Sequence, residues 1–190
     1  MSIIELTPRE FIAQWVGIKE APIMVNVLAK NMTDFVTVAG KYSKSCFQAS
    51  FFNQGFYRSG RPWAVRQSKW GKKHNHPLLM ESGNLYGSVS GGANNMYDSK
   101  NAKKHSGAKI KSKRVAYVIA TEEHKKNGRK GKFSRGYAAI HNTDPKLRNF
   151  QVNQYSDRKP VQRQFIGFNP NINGYIKRNF VPMLFEGFPR

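Results

Sequence analysis

The clearest pattern along the chain is a run of apolar residues spaced alternately three and four positions apart. It includes Val25, Leu28, Met32, Phe35, Ala39, Tyr42, Cys46 and Ala49. This spacing places them on one stripe of an α-helix, and so predicts a helix over residues 22–52, roughly 45 Å long. The simplest interpretation packs the stripe against the protein's own sheet. Because a helix of this length extends beyond one small core, we expect part of the stripe to contact a neighbouring subunit. The candidates for that contact are Val25, Met32, Phe35 and Tyr42.

A shorter helix is predicted within an N-terminal arm over residues 1–21. In the segment "LTPREFIAQWVG", Thr7 can cap the helix, Pro8 suits its first position and Glu10 completes a capping box. Gly17 suits its end. The apolar face of this helix consists of Phe11, Ile12 and Trp15.

Strand patterns occupy the second half of the chain. Residues 114–121 and 137–143 are rich in β-branched and aromatic side chains, which predicts two strands, and residues 164–168 suggest a third, short one. A basic connection with Gly128 and Gly131 as turn residues predicts a hairpin between the first two strands. The polar segment 90–113 is expected to be a loop.

The C-terminal segment, residues 169–190, predicts a closing helix. Asn169 can cap it, Pro170 suits its first position, and Pro182 should kink or shorten it. The sequence therefore predicts one α+β domain over residues 1–190, a long N-terminal helix packed on a small antiparallel β-sheet, with long basic loops and a C-terminal helix. Its segments are the arm 1–21, the long helix 22–52, long loops at 53–113, a sheet with a basic hairpin at 114–168 and the C-terminal helix.

The loop region contains a stretch with a pattern of its own, from Arg61 to Val89. We expect its two tryptophans to anchor the loop, its leucines to pack inward, and "ESGNL" to form a capped turn into a short helix or strand. We call this region the structural joint, with residues Trp63, Trp70, Leu79, Ser82, Gly83 and Leu85.

The net charge indicates the class of partner more clearly than any sequence motif does. The 32 lysines and arginines against 11 acids give a net charge of +21, and residues 41–135 hold 21 of the basic residues. Such a field indicates a polyanionic partner or acidic protein neighbours. Two clusters, flanked by glycines, are expected to contact phosphates without reading bases. They are Lys103, Lys104, Lys109, Lys111, Lys113 and Arg114, and Lys125, Lys126, Arg129, Lys130, Lys132 and Arg135.

The sequence contains few residues in patterns suited to catalysis. His74, His76 and His141 could be imagined as metal ligands of a nuclease, but lysines surround the first two. The adjacent acids Glu122 and Glu123 are best explained as charge balance. We expect no enzyme activity, cofactor or metal. The single cysteine, on the helical stripe, excludes an internal disulfide and is expected to be a small buried apolar residue. We expect no signal peptide and no membrane span.

Three stretches, taken in order, follow a pattern that one protein family shares. In "HPLLMESGNLYGSV" the matching residues are Leu78, Leu79, Glu81, Ser82, Gly83, Leu85, Ser88 and Val89. In "YAAIHNTD" they are Tyr137, Ala138, Ile140 and His141, while Asn142 and Asp144 depart from the pattern. In "QRQFIGF" they are Arg163, Phe165, Ile166 and Gly167, with Gln164 where the family often has proline. Together with the tryptophan of "RPWA", these stretches resemble the Mu-type virion-morphogenesis or tail-completion proteins of tailed phages.

The resemblance implies a long helix packed on a small antiparallel sheet and a structural, non-catalytic role. It implies a homo-oligomeric ring of six or twelve subunits at the neck of the virion, assembled in the host cytoplasm. The expected partners are portal, adaptor or tail proteins and the packaged double-stranded DNA that passes through the channel. The alternative from the charge alone is a basic, non-catalytic DNA- or RNA-binding or packaging protein.

Overall fold

The computed structural model describes residues 6–66, 75–80, 83–90, 107–111, 114–119, 137–144, 146 and 161–189. Within them, the helices are α1 (Pro8–Val16), α2 (Ala21–Phe52), α3 (Asn84–Ser90), α4 (Tyr137–Asn142) and α5 (Pro170–Asn179). A 3₁₀ helix, Val181–Phe185, follows α5. The strands are β1 (Gly107–Lys111) and β2 (Arg114–Val118).

The first helix begins and ends as its sequence predicts. The Thr7 hydroxyl accepts a hydrogen bond from the backbone N–H of Glu10 at 3.2 Å, and the Glu10 carboxylate accepts from the backbone N–H of Thr7 at 2.7 Å. These reciprocal bonds satisfy amides that lack a partner within the helix. Gly17 ends α1 with φ +94°, a conformation that favours glycine. Of the expected apolar face, Ile12 is buried, whereas Phe11 and Trp15 are largely exposed.

The long helix α2 is confirmed and starts one residue earlier than predicted. Its contacts with both strands organise the fold. At Gly40 the helix comes so close to β2 that a Cβ atom added there would lie 2.0 Å from Cγ of Tyr117. Glycine therefore permits the helix and the sheet to touch at this position. The predicted α+β class, with a long helix against a small antiparallel sheet and a C-terminal helix, is confirmed.

The sheet itself differs from the prediction. Strand β2 confirms part of the expected strand at 114–121, but its antiparallel partner β1 lies in the segment predicted as a loop, with Ala108 opposite Tyr117. The predicted strand at 137–143 is wrong, because these residues form α4. The predicted strand at 164–168 is also wrong, since the segment is irregular. The basic hairpin expected at 122–136 lies outside the described residues.

The C-terminal segment follows its capping signals. The Asn169 side-chain oxygen accepts from the backbone N–H groups of Asn171 and Ile172, and α5 begins at Pro170. Helix α5 ends before Pro182, where the chain tightens into the 3₁₀ helix. The Asn31 amide of α2 donates to the carbonyl oxygens of Leu184 at 3.2 Å and Glu186 at 2.9 Å. These two bonds fasten the C-terminal segment along α2.

The core lies at the C-terminal end of α2. Its buried members come from α2, the loop after it, α3, α4, the irregular segment before α5, and α5 itself. They are Cys46, Phe47, Phe51, Trp63, Leu78, Leu79, Leu85, Val89, Ala138, Phe165 and Ile172. Short elements that could not form a stable fold singly are thus held by one shared apolar cluster.

Candidate functional site

The structural joint is built around Phe51, which is fully buried near the end of α2. Its ring meets Trp63 edge-on at 5.8 Å between centroids, Tyr86 of α3 at 5.7 Å and Phe165 at 5.2 Å. Edge-to-face aromatic pairs add to the free energy of apolar burial. One side chain of α2 therefore joins three segments that are distant in the sequence.

A short turn at residues 76–80 presents two leucines to this core. The Gln54 side chain accepts from the Leu78 backbone N–H at 2.6 Å, while Arg66 donates to the carbonyl oxygens of His76 at 2.8 Å and Pro77 at 3.2 Å. Leu78 and Leu79 are both buried. The polar bonds fix the backbone so that consecutive leucines can both face inward.

Gly83 begins the step into α3. Its φ of +70° favours glycine, whereas a Cβ atom there would meet nothing within 4 Å. Glycine is therefore favoured at this position by the backbone conformation and not by a lack of space. In α3, Leu85 and Val89 are buried, and the Ser88 hydroxyl donates to the Leu85 carbonyl oxygen at 2.8 Å. The short helix after Gly83 and the inward packing of Leu79 and Leu85 match the predictions, whereas the capped turn expected in "ESGNL" begins outside the described residues. Trp70 and Ser82 lie outside the described residues.

The segment before α5 is tied to this joint through polar bonds. The Trp63 indole N–H donates to the Gln164 carbonyl oxygen at 2.9 Å, across 101 positions of sequence. The Arg163 guanidinium donates to the Ala64 carbonyl oxygen at 2.9 and 3.1 Å. Trp63 thus anchors the loop, as the sequence indicates, and does so with both its ring and its N–H.

Asn142, at the end of α4, holds the same segment from the other side. Its side-chain oxygen accepts from the backbone N–H groups of Phe165 and Ile166, each at 2.9 Å. Asn142 departs from the family pattern, and its function was not predicted from the sequence. The function of Gln54 was not predicted either. An asparagine after a short apolar run is the available signal, because its amide can satisfy backbone groups where regular structure ends.

Two titratable groups near the core, His141 and Cys46, have pKa values shifted in the direction that favours their neutral forms. Burial, with a smaller contribution from the Arg163 charge, lowers the pKa of His141 from 6.5 to about 4. Burial raises the pKa of the Cys46 thiol, against opposing hydrogen bonds from Tyr42 and Tyr57. A thiol of raised pKa is a poor nucleophile at neutral pH. Cys46 thus fits the expected buried apolar residue.

Within the described ranges, no three His, Cys, Asp or Glu side chains come together as metal ligands. Of the histidines considered, His76 lies beside Arg66, with Nδ1 2.9 Å from Nη2, and His141 is in α4. His74 lies outside these ranges.

Most of the two predicted basic clusters falls outside the described residues. Of their members, Lys109 lies exposed on β1, and Lys111 pairs with Arg114 where the two strands join. The remaining members, Lys103, Lys104, Lys113, Lys125, Lys126, Arg129, Lys130, Lys132 and Arg135, lie outside.

The four interface candidates on α2 have different environments. Val25 and Phe35 are half-buried, and Met32 is exposed. The Tyr42 ring instead stacks on Tyr175 of α5 at 4.4 Å between centroids and meets Phe180 at 5.6 Å. Tyr42 thus takes part in the chain's own packing, and its assignment to a subunit contact stays a prediction.

In the described part of the chain, no helix combines the length and apolar character needed to cross a membrane. Compared with known proteins, the chain matches no protein-family model, no curated protein and no solved structure.

Proposed function

We propose that this protein is a structural subunit of a tailed-phage virion, a head-to-tail connector or tail-completion protein that forms a ring at the neck. In this role it joins the DNA-filled capsid to the tail and carries out no catalysis. Its partners are copies of itself, portal, adaptor or tail proteins, and the duplex DNA in the channel. It is assembled in the host cytoplasm.

The observation that carries the proposal is the convergence of the three stretches with family resemblance. Leu79 and Leu85 come from the first stretch, Ala138 from the second and Phe165 from the third, and all are buried in one cluster with the end of α2. Residues that build one core constrain each other's chemistry, so a shared pattern at these positions supports a shared architecture. The similarity therefore concerns the packed centre of the protein rather than scattered surface positions.

The surface also supports a role in an assembly. The net charge of +21 suits a subunit that borders DNA or acidic proteins. Large exposed apolar side chains, among them Phe11, Ile18 and Ile23, suit contacts with other subunits. A ring around a DNA channel uses both kinds of surface.

Negative-stain microscopy of the purified full-length protein, combined with mass photometry, tests the proposal. We expect closed rings with a central hole wide enough for duplex DNA. The proposal would be overturned by a stable monomer or dimer that forms no ring and binds free duplex DNA tightly at physiological salt.

The same result would support the second candidate, a basic nucleic-acid-binding or packaging protein. The observation that favours it is the concentration of 21 basic and four acidic residues within 41–135. Such a protein should bind DNA with an affinity that falls steeply as salt rises, because counterions are released on binding. A titration of labelled duplex DNA at several salt concentrations measures that slope.

A further inference from the structure

One end of the molecule exposes an unusual number of large apolar side chains. We call it the helical-arm face and define it by Phe11 and Trp15 of α1, Ile18 in the following turn, Ile23 in the first turn of α2, and Phe185 in the 3₁₀ helix. Their exposed fractions are 57%, 46%, 78%, 62% and 47%.

These residues come from segments that are packed together. Phe11 and Trp15 are four positions apart on α1 and so lie on the same side of the helix. The Trp15 ring contacts Phe185 at 5.9 Å and Phe188 at 5.0 Å between centroids. The Asn31 bonds hold this C-terminal segment against α2. The helical-arm face is therefore formed by three elements in mutual contact.

Its size is typical of a binding surface. With roughly 200 Å² for a fully exposed large apolar residue, the five side chains expose on the order of 600 Å². A soluble monomer rarely exposes a larger apolar patch, and a standard protein interface buries about 800 Å² on each partner. The helical-arm face could supply most of one side of such an interface.

Its charge differs from that of the rest of the chain. The charged residues described in α1, the turn after it, the N-terminal half of α2, and the 3₁₀ helix with the residues that follow it are four acids and three bases. They are Glu10, Glu20, Asp34, Glu186, Arg9, Lys19 and Lys30. The whole positive excess of a chain with net charge +21 is therefore carried elsewhere. Two copies can approach with least repulsion when this end of one faces the basic remainder of the other.

We propose that the helical-arm face is the docking surface for a second copy of this chain, bound head to tail against its basic remainder. The inference rests on the proposed function in one respect, because a ring requires a head-to-tail contact between identical subunits. It goes further by naming the surface that makes this contact and by placing it at the far end of α2 from the structural joint.

Sedimentation velocity of the full-length chain over a range of concentrations tests the assignment. The variant Ile18→Ser with Ile23→Ser removes exposed apolar area without touching the core. The matched control, Val65→Ser with Phe168→Ser, removes two side chains that are each 73% exposed and lie outside the face. We expect the first pair to raise the dissociation constant for self-association by about tenfold or more and the control pair to leave it unchanged.

Circular dichroism melting of both variants should match the wild type, since all four side chains are exposed. A wild-type chain that stays monomeric overturns the inference, as does self-association that survives the Ile18 and Ile23 substitutions or stops at closed dimers. Rings that persist in that variant would leave the proposed function standing. Open head-to-tail filaments that the variant dissolves would support the inference and contradict the proposed ring.

Discussion

The two halves of α2 carry the same apolar periodicity but have different surroundings. In residues 39–52, five side chains are buried, namely Ala39, Cys46, Phe47, Ser50 and Phe51. In residues 21–38, only Ala21 is buried, and Met32 on the same stripe is 43% exposed. A periodic pattern therefore predicts a helix and the side on which it packs. It does not reveal whether that side is covered within the chain or by another molecule.

The largest expected effect contrasts Phe51 with Met32. Phe51→Ala should lower the free energy of unfolding by about 3–5 kcal/mol, because it leaves a cavity where Trp63, Tyr86 and Phe165 meet. Met32→Ala, on the exposed half, should cost less than about 1 kcal/mol. Urea unfolding followed by tryptophan fluorescence measures both. Similar losses for the two variants would show that the halves are equally packed.

A second test uses pH and acts on the packed half through His141. Its pKa is lowered to about 4 in the folded state, so the unfolded chain binds a proton first as pH falls. The stability that this group contributes is complete above its ordinary pKa of 6.5 and is lost between pH 6.5 and 4. We expect a loss on the order of 2 kcal/mol over that window.

The control for this pH dependence is His141→Gln, which retains a polar side chain that does not titrate. Urea midpoints of both proteins at pH 7.5 to 4.5 would isolate the histidine, since every other titrating group is common to them. The wild type should lose more stability than the variant on acidification. Parallel pH profiles would contradict the burial of a neutral imidazole.

The third test acts at Gly40, where the two halves of α2 meet. Gly40→Ala introduces a Cβ atom against Tyr117, which should cost about 1–2 kcal/mol net even though alanine favours helices. Gly174 in α5 offers a matched control, because a Cβ atom there meets nothing within 4 Å. Gly174→Ala should stabilise the protein by up to about 1 kcal/mol. Thermal melts that move in the same direction for both variants would contradict the close contact.

What the sequence could predict depended on how local the signal was. The capped ends of α1 and α5 and the stripe of α2 follow from residues near each other in the chain, and these elements were predicted correctly. Residues 137–143 form a helix although a strand was predicted, because their apolar run, residues 137–140, is too short to show a clear period. In the structure Ala138 packs into the core while Asn142 holds the backbone of Phe165 and Ile166. These contacts with distant residues favour a helix at this position.

The predictions for β1 and for residues 164–168 were wrong for the same physical reason, contacts with distant residues. Strand β1 is polar and reads as a loop, yet it pairs with β2 along five positions, so its partner determines its conformation. Residues 164–168 look like a strand but bond to Asn142 and Trp63 instead. For the candidate site, the sequence identified the buried leucines and Trp63, because large apolar residues beside a glycine turn are conspicuous. Gln54 and Asn142 act through distant backbone groups that the local sequence does not show.

The smallest expected effect is at Thr7. It tests whether the capping hydrogen bonds of α1 stabilise that helix alone or the whole fold. Thr7→Ala removes the hydroxyl that accepts from the Glu10 backbone N–H, and such caps contribute about 1 kcal/mol. Because α1 packs on the exposed end of α2 and on Phe185 and Phe188, away from the main core, the loss should appear as fraying of α1 with little change in global stability. Amide hydrogen exchange should be faster at residues 10–14 and unchanged at 46–51. Thr7→Ser, which keeps the oxygen, should exchange like the wild type. Faster exchange throughout α2 would instead mean that the two halves form one cooperative unit, and that the difference in burial between them is not a difference in stability.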